Sequence, residues 1–153
     1  MERFEIKGDN GFIKIELKEV FRFPNKVSNF GGYECRADIE IKIPNYQVKG
    51  NFCTSTREIY NFCEDLKRCQ SSLNGAANYS TYEGHLDLKI KYNGSGQAEI
   101  TGSFQQSMLI PNCLAFEINS DQSYLKYSLD EIEMVVKKYG DNKRVKIESE
   151  SKP

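Results

Sequence analysis

Alternation of apolar and charged residues dominates the first two thirds of the chain. The clearest stretch runs from Tyr33 to Ile43, where apolar or small residues occupy every second position and Glu34, Arg36, Asp38, Glu40 and Lys42 lie between them. Because successive side chains of a β-strand point to opposite faces, this pattern predicts a strand with one buried and one solvent-facing side. A single wet face is typical of antiparallel sheets.

The same alternation predicts further strands. Pro44-Asn45 has the residues of a tight turn followed by a returning strand, and the segment Asn93 to Gly96 has the composition of a hairpin turn. The main alternating positions of these strands are Ile13, Ile15 and Leu17; Tyr46, Val48 and Phe52; Leu86, Leu88, Ile90 and Tyr92; Ala98, Ile100, Gly102 and Phe104; and Leu114, Phe116 and Ile118.

Two segments have helical spacing instead. Their apolar positions are Ile59, Phe62, Cys63, Leu66 and Leu73 in the first, and Leu129, Ile132, Val135, Val136 and Tyr139 in the second. Ser55 with Glu58, and Ser128 with Glu131, have the spacing of capping boxes, while Asn74-Gly75 and Gly140 supply stops. We therefore expect an α+β fold: one antiparallel β-sheet of about six to seven strands, with two helices packed on its apolar face.

The length of 153 residues fits one domain, and nine Phe and nine Tyr supply a core. We expect a single domain over residues 1–140, followed by a charged tail over residues 141–153. The tail contains only Val145 and Ile147 as apolar residues, which allows at most one short edge strand.

Charge and the chain's N-terminal residues narrow the range of partners. The 21 Lys and Arg residues balance 22 Asp and Glu residues, whereas nucleic-acid binding requires clustered positive charge. This balance argues against a nucleic-acid or membrane partner. The segment Met1 to Lys7 has no apolar signal region, and five cysteines without short paired spacing are typical of reduced thiols. We expect a cytoplasmic protein.

The sequence offers little catalytic chemistry. His85 is the one histidine, and a lone histidine at the start of a strand is more often structural than catalytic. The closest cysteines, Cys63 and Cys69, lack the short spacing of zinc knuckles, and Cys53, just before the first helix, is the cysteine best placed for reactivity. No phosphate-binding loop or GxSxG motif is present. We expect no enzyme, metal or cofactor, although two carboxylates could still meet in a cleft.

One loop has the composition of a recognition surface. Aromatic residues and an arginine flank glycines between Phe21 and Tyr33, which resembles the composition of interface hot spots. The candidate partner-binding residues there are Phe23, Asn25, Phe30 and Tyr33. In the alternative interpretation the aromatic side chains fold back onto the core, because aromatic residues are usually buried.

Four segments resemble the WapI-type immunity proteins: Phe4 to Gly8 (FEIKG), Glu19 to Glu34, Ser55 to Phe62 (STREIYNF) and Phe116 to Lys143. The resemblance implies a cytoplasmic protein that binds and blocks the toxic C-terminal domain of a contact-dependent polymorphic toxin. In the best-known members of the family that domain attacks tRNA. The expected partner is therefore a cognate toxin C-terminal domain, and the protein alone is expected to be a monomer or a weak dimer.

A nuclease partner would carry a basic surface, and opposite charge speeds association. Glu34, Asp38 and Glu40 on the wet face of one strand are the acidic candidates, but Arg36 and Lys42 alternate with them. An ordinary solvated sheet face is the alternative interpretation. The alternative function is a non-enzymatic domain that binds a small ligand or acts as an accessory, and a carboxylate-based hydrolase is a third possibility.

Overall fold

The computed structural model describes residues 2–140, within which the chain forms eight strands and two helices. In chain order they are β1 (Arg3–Lys7), β2 (Phe12–Val20), β3 (Glu34–Ile43), β4 (Tyr46–Ser55), α1 (Thr56–Ser72), β5 (Asn74–Ser80), β6 (Leu86–Asn93), β7 (Gln97–Phe104), β8 (Leu114–Asp121) and α2 (Gln122–Tyr139). The α+β class is confirmed. The predicted charged tail, residues 141–153, lies outside the described residues.

The strands form two sheets, not one. Strands β1 to β4 make the first sheet and β5 to β8 the second, each an antiparallel meander in chain order. The prediction of a single sheet with about six to seven strands is therefore wrong in its number of sheets and its number of strands. The physical reason is that alternation reports which face of a strand is buried, but not which strands pair with each other.

Two strands escaped prediction because their sequences carry weak signals. Strand β1 is short, and Phe4 and Ile6 are its only buried residues. Strand β5 follows α1 directly, because Leu73 adopts a left-handed conformation with φ of 56° and turns the chain. The predicted apolar stripe of the helix includes Leu73, whereas in the structure Leu73 is the residue that ends the helix.

Each sheet is followed by a helix, so the chain consists of two successive ββββα halves. Helix α1 packs along β5 of the second half, α2 packs along β1 of the first half, and the two helices pack against each other. The helix of each half thus covers the first strand of the other half.

One core lies between these elements. It contains the inward side chains of both sheets and the apolar faces of both helices. Phe52 of the first sheet and Phe104 of the second meet with ring centroids 6.5 Å apart. Gly8 allows the β1–β2 turn to approach β8, because a Cβ atom there would lie 2.3 Å from the carbonyl oxygen of Asn119.

The first helix begins as predicted. The side chain of Ser55 accepts a hydrogen bond from the backbone N–H of Glu58 at 3.1 Å, which satisfies one of the free donors of the first turn. The carboxylate of Glu58 has further hydrogen-bond partners. It accepts hydrogen bonds from the Thr54 hydroxyl and from the backbone N–H of Tyr82.

The second helix begins well before the predicted cap. Asp121 is the N-cap, and its carboxylate accepts hydrogen bonds from the N–H groups of Ser123 and Tyr124, both at 2.9 Å. The predicted capping box of Ser128 and Glu131 is wrong, since Ser128 is buried within the helix. The predicted end is confirmed: Gly140, with φ of 88°, donates its N–H to the carbonyl of Val136.

Candidate partner-binding surface

The loop between β2 and β3 is fastened to the start of α1. The backbone N–H of Tyr33 donates to the Thr56 hydroxyl at 2.7 Å, and the N–H of Thr56 donates to the Tyr33 carbonyl at 2.8 Å. Gly32 lies so close to the helix that a Cβ atom would be 2.6 Å from the backbone nitrogen of Arg57. This close approach, with φ of 66° at Gly32, requires glycine and gives the loop a defined position.

The aromatic residues of this loop divide into two groups. Phe23 packs edge-on against Tyr33 at 5.1 Å and against Tyr139 of α2 at 4.6 Å, and Tyr33 itself is buried. Phe30 is 75% exposed and Phe21 is 46% exposed. The interpretation that aromatic side chains fold onto the core therefore holds for Phe23 and Tyr33, whereas Phe30 and Phe21 face solvent.

Two of the three acidic candidates on β3 have basic or polar partners close by. Glu40 accepts a hydrogen bond from Gln47 and lies 3.2 Å from Lys14 Nζ, and both contacts lower the pKa of Glu40. Asp38 lies 3.6 Å from Lys18 Nζ. The outward face of the first sheet is thus a ladder of mixed charge. Glu34, at the first position of β3, has a different environment.

Glu34 lines a groove at the end of the molecule where β3 begins. The groove has a volume of about 270 Å³ and lies between the β2–β3 loop, the start of α1 and the turn between β5 and β6. We call it the aromatic groove, and its side chains include Phe21, Phe30, Glu34, Arg57, Glu58, Tyr82 and Glu83. A second cavity of about 450 Å³ lies against the same loop, with Arg22 and Lys26 in its lining, and shares Phe21, Phe30 and Glu34 with the groove.

A buried hydrogen-bond network fixes the far wall of the aromatic groove. Glu58 accepts from the N–H of Tyr82 at 2.9 Å and from the Thr54 hydroxyl at 2.8 Å. Thr54 also lies 2.7 Å from the hydroxyl of the fully buried Tyr79, which stacks on Phe62. Burial raises the pKa of Glu58. The turn is therefore held to α1 while the Tyr82 ring is 88% exposed.

The two thiols that line the aromatic groove, those of Cys35 and Cys53, are poorly placed for nucleophilic chemistry. Partial burial, together with the carboxylates of Glu83 and Glu34, raises the pKa of Cys53, and burial raises the pKa of Cys35 to about 12. A raised pKa disfavours the reactive thiolate, so the position of Cys53 before α1 does not activate it. Cys53, Glu83 and Glu34 all line the aromatic groove.

His85, the histidine considered as a catalytic candidate, makes a contact within the fold. His85 Nδ1 lies 2.8 Å from the carbonyl oxygen of Gln105, which ties the β5–β6 turn to the segment after β7. Within residues 2–140, no three His, Cys, Asp or Glu side chains come close enough together to hold a metal ion. Neither helix of the described region is long and apolar enough to cross a membrane.

The sequence model of the immunity protein WapI-like family matches residues 3–140. The chain belongs to the WapI-like immunity protein family. The match runs from β1 through α2, so both ββββα halves belong to the WapI-like unit, and the resemblance that the sequence suggested is confirmed. No curated protein matches the chain.

Sequence reasoning missed several residues that line this end of the WapI-like scaffold. Tyr82, Glu83 and Glu58 were not among the candidates, because nothing in the sequence places the β5–β6 turn beside the β2–β3 loop. A second missed feature is the run Met108-Leu109-Ile110, which lies in the β7–β8 loop with all three side chains exposed. Three consecutive apolar residues outside any alternating stretch were a signal that could have been used.

Proposed function

We propose that the protein is a cytoplasmic immunity protein that neutralises a cognate toxin by binding its C-terminal domain directly, one to one. Membership of the WapI-like immunity family is the observation that carries the proposal. We further propose that the toxin belongs to a contact-dependent polymorphic system and is a nuclease acting on RNA, such as tRNA. Inhibition would then require coverage of the toxin's surface and no chemistry by the immunity protein, which alone is a monomer or a weak dimer.

The described residues support a binding role. The β2–β3 loop and the β5–β6 turn are anchored by hydrogen bonds, and they present exposed aromatic rings. Anchored aromatic residues lose little conformational entropy when a partner packs on them, and Tyr and Phe side chains supply large contact areas.

Among the sequence candidates, Asn25, Phe30 and Glu34 are exposed and available for contact. Phe23 and Tyr33 would act indirectly, by holding the loop against α2 and α1. Any contact by Asp38 or Glu40 would have to compete with their lysine neighbours.

Co-expression with the cognate toxin domain tests the proposal. Growth should be restored, and the two purified proteins should elute together as a one-to-one complex in size-exclusion chromatography. Continued killing, with no complex formed, would refute it.

The 450 Å³ cavity favours a second candidate, a domain that binds a small ligand, since sites for such ligands usually have volumes of about 300–1,000 Å³. A thermal-shift screen with metabolites separates the two functions. Strong stabilisation by one compound, without any complex with the toxin domain, would favour the ligand.

A further inference from the structure

One end of the molecule carries most of its exposed apolar side chains. The antiparallel order of the strands brings four segments to this end: the β2–β3 loop, the start of α1, the β5–β6 turn and the β7–β8 loop. Of the nine large apolar side chains that are exposed within residues 2–140, six lie here: Phe21, Phe30, Tyr82, Met108, Leu109 and Ile110. We call these six residues, together with Glu34 and Glu83, the end surface.

The β7–β8 loop is shaped by its own hydrogen bonds. The side-chain amide of Gln105 donates to the carbonyls of Ser107 and Ile110 at 2.9 and 3.2 Å, and the N–H of Leu109 donates to the Ser107 hydroxyl. Leu109 is nevertheless 93% exposed. A loop that is preorganised to present apolar side chains to water is typical of an interaction site, because exposure of such side chains is otherwise unfavourable.

The apolar loop is continuous with the aromatic groove. The terminal methyl of Met108 lies beside Gly84, where a Cβ atom would be 3.6 Å away, and Gly84 belongs to the turn that carries Tyr82 and Glu83. The two features therefore form one surface across the end of both sheets, and a partner that contacts one of them can reach the other.

The charge of the groove indicates what kind of side chain it fits. Three carboxylates, those of Glu34, Glu58 and Glu83, line it together with the guanidinium of Arg57. Arg22 and Lys26 line the adjoining cavity and not the groove itself. Glu58 already accepts hydrogen bonds from Thr54 and Tyr82, and Glu83 lies 3.5 Å from His85 Nε2, whereas Glu34 forms no ion pair within residues 2–140. Exposed aromatic faces next to available carboxylates favour a bound cation through cation–π and charge-assisted contacts.

We propose that the end surface is the face that covers the toxin domain, and that the aromatic groove receives a Lys or Arg side chain from the toxin's RNA-binding surface. This inference rests on the proposed function. A nuclease uses such side chains to hold phosphates, so their capture between Phe30, Tyr82 and the two carboxylates removes them from the substrate. The apolar loop then supplies desolvated contact beside the charged one, the arrangement found at interface hot spots.

Other exposed surfaces fit this role less well. The outward face of the first sheet is a ladder of paired charges, including Lys14 with Glu40 and Lys18 with Asp38. The outer face of α2 exposes Tyr127 and Met134, but Lys126 and Asp130 form an ion pair on the same helix. Neither surface has an exposed apolar loop such as Met108-Leu109-Ile110 beside its exposed aromatic side chains.

The electrostatic part is tested with the double variant E34Q/E83Q, which removes two charges without changing side-chain shape. The matched control is E99Q/E117Q, since these two carboxylates face each other on the outer face of the second sheet. In surface plasmon resonance with the purified toxin domain, the association rate of E34Q/E83Q should fall about tenfold at low salt and depend less on ionic strength. The control should associate as the wild type does.

The contact part is tested with Y82A and L109A, and Y46A is the control because Tyr46 is also exposed but lies at the opposite end of β3. Each end-surface variant should raise the equilibrium dissociation constant by about tenfold or more, because truncation of a hot-spot side chain lowers the affinity by at least about that factor. The melting temperature should stay at the wild-type value, since neither side chain is buried.

The outcomes separate the two proposals. If the wild type neither binds nor protects, the proposed function fails and this inference fails with it. If the wild type binds and protects, but the end-surface variants bind as tightly as the controls, the inference is overturned and the proposed function stands. Equal weakening by end-surface and control variants would also overturn it.

Discussion

At the scale of single residues, Thr54 joins two parts of the groove's buried support. Its hydroxyl donates to Glu58 at 2.8 Å and lies within hydrogen-bond distance, 2.7 Å, of the Tyr79 hydroxyl. Substitution T54V should lower the free energy of unfolding by about 1–3 kcal/mol, because a buried hydroxyl and a partly buried carboxylate lose a partner. Urea denaturation measures the loss.

A double-mutant cycle with Y79F provides the control. The variant T54V/Y79F should lose less stability than the two single variants together, because the double variant no longer contains a buried unpaired phenol. If the loss of stability in the double variant equals the sum of the two single losses to within about 0.5 kcal/mol, the two hydroxyls are not coupled.

Glu2 gives a prediction about pH. Hydrogen bonds from Lys138 and Tyr139, at 2.6 Å each, lower its pKa from 4.5 to about 2. A lowered pKa in the folded state means that the charged form stabilises the fold above pH 4.5, and that this contribution is lost as the pH falls towards 2. The stability difference between the wild type and E2Q should therefore be constant near neutral pH and shrink on acidification.

Thermal unfolding of both proteins across this pH range is the measurement. In a K138M background, which removes the first partner of Glu2, the difference should depend less on pH. An equal pH dependence in both backgrounds would contradict the assignment to this contact.

At the scale of elements, the start of α2 distinguishes a predicted cap from the observed one. Variant D121A removes the acceptor for two N–H groups and should cost about 0.5–2 kcal/mol, the usual cost of losing an N-cap. Variant S128A is the control, because Ser128 lies within the helix and its hydroxyl makes only a long contact, 3.4 Å, with the Tyr124 carbonyl. Chemical denaturation should show the larger loss for D121A, and a larger loss for S128A would restore the predicted start.

The sequence predicted the elements whose signal is local. The buried positions of β3, at Cys35, Ala37, Ile39 and Ile41, were all read correctly from the period of two. The end of α2 at Gly140 was also correct, because it depends on the conformation of one residue. The predicted start of α2 was wrong, since both Asp121 and Ser128 have side chains that can cap a helix. The burial of Leu125, which lies between them, is a tertiary contact that the local sequence does not reveal.

The candidate site could be predicted only in part, because only some of its residues have a local sequence signal. Phe30 belongs to a loop whose composition is visible in the sequence, Glu34 begins the strand that follows this loop, and both residues line the groove. Tyr82 and Glu83 form the other wall, and they reach it only because Glu58 binds the backbone of their turn. Contacts between segments far apart in sequence leave no periodic signal, so neither this wall nor the pairing into two sheets was accessible.

At the scale of the whole molecule, the two halves depend on each other for burial. Helix α1 covers β5 and helix α2 covers β1, so neither half could bury its first strand without the other. Elements that share one core are expected to unfold together. We therefore expect a single cooperative unfolding transition, although the fold contains two separate sheets, each made of four consecutive strands.

Matched substitutions in the two sheets test this dependence. Ile15 in the first sheet and Ile90 in the second are both fully buried, and shortening each to Val should cost about 0.5–1.5 kcal/mol. Each variant should shift the one transition, with circular dichroism and tyrosine fluorescence giving the same midpoint. If the halves were independent, unfolding would show two transitions, and I15V would shift the midpoint of one transition and leave the other midpoint unchanged. Because the end surface is built from loops of both halves, such independence would also mean that the groove can open without global unfolding, and toxin binding would then stabilise the pairing of the halves.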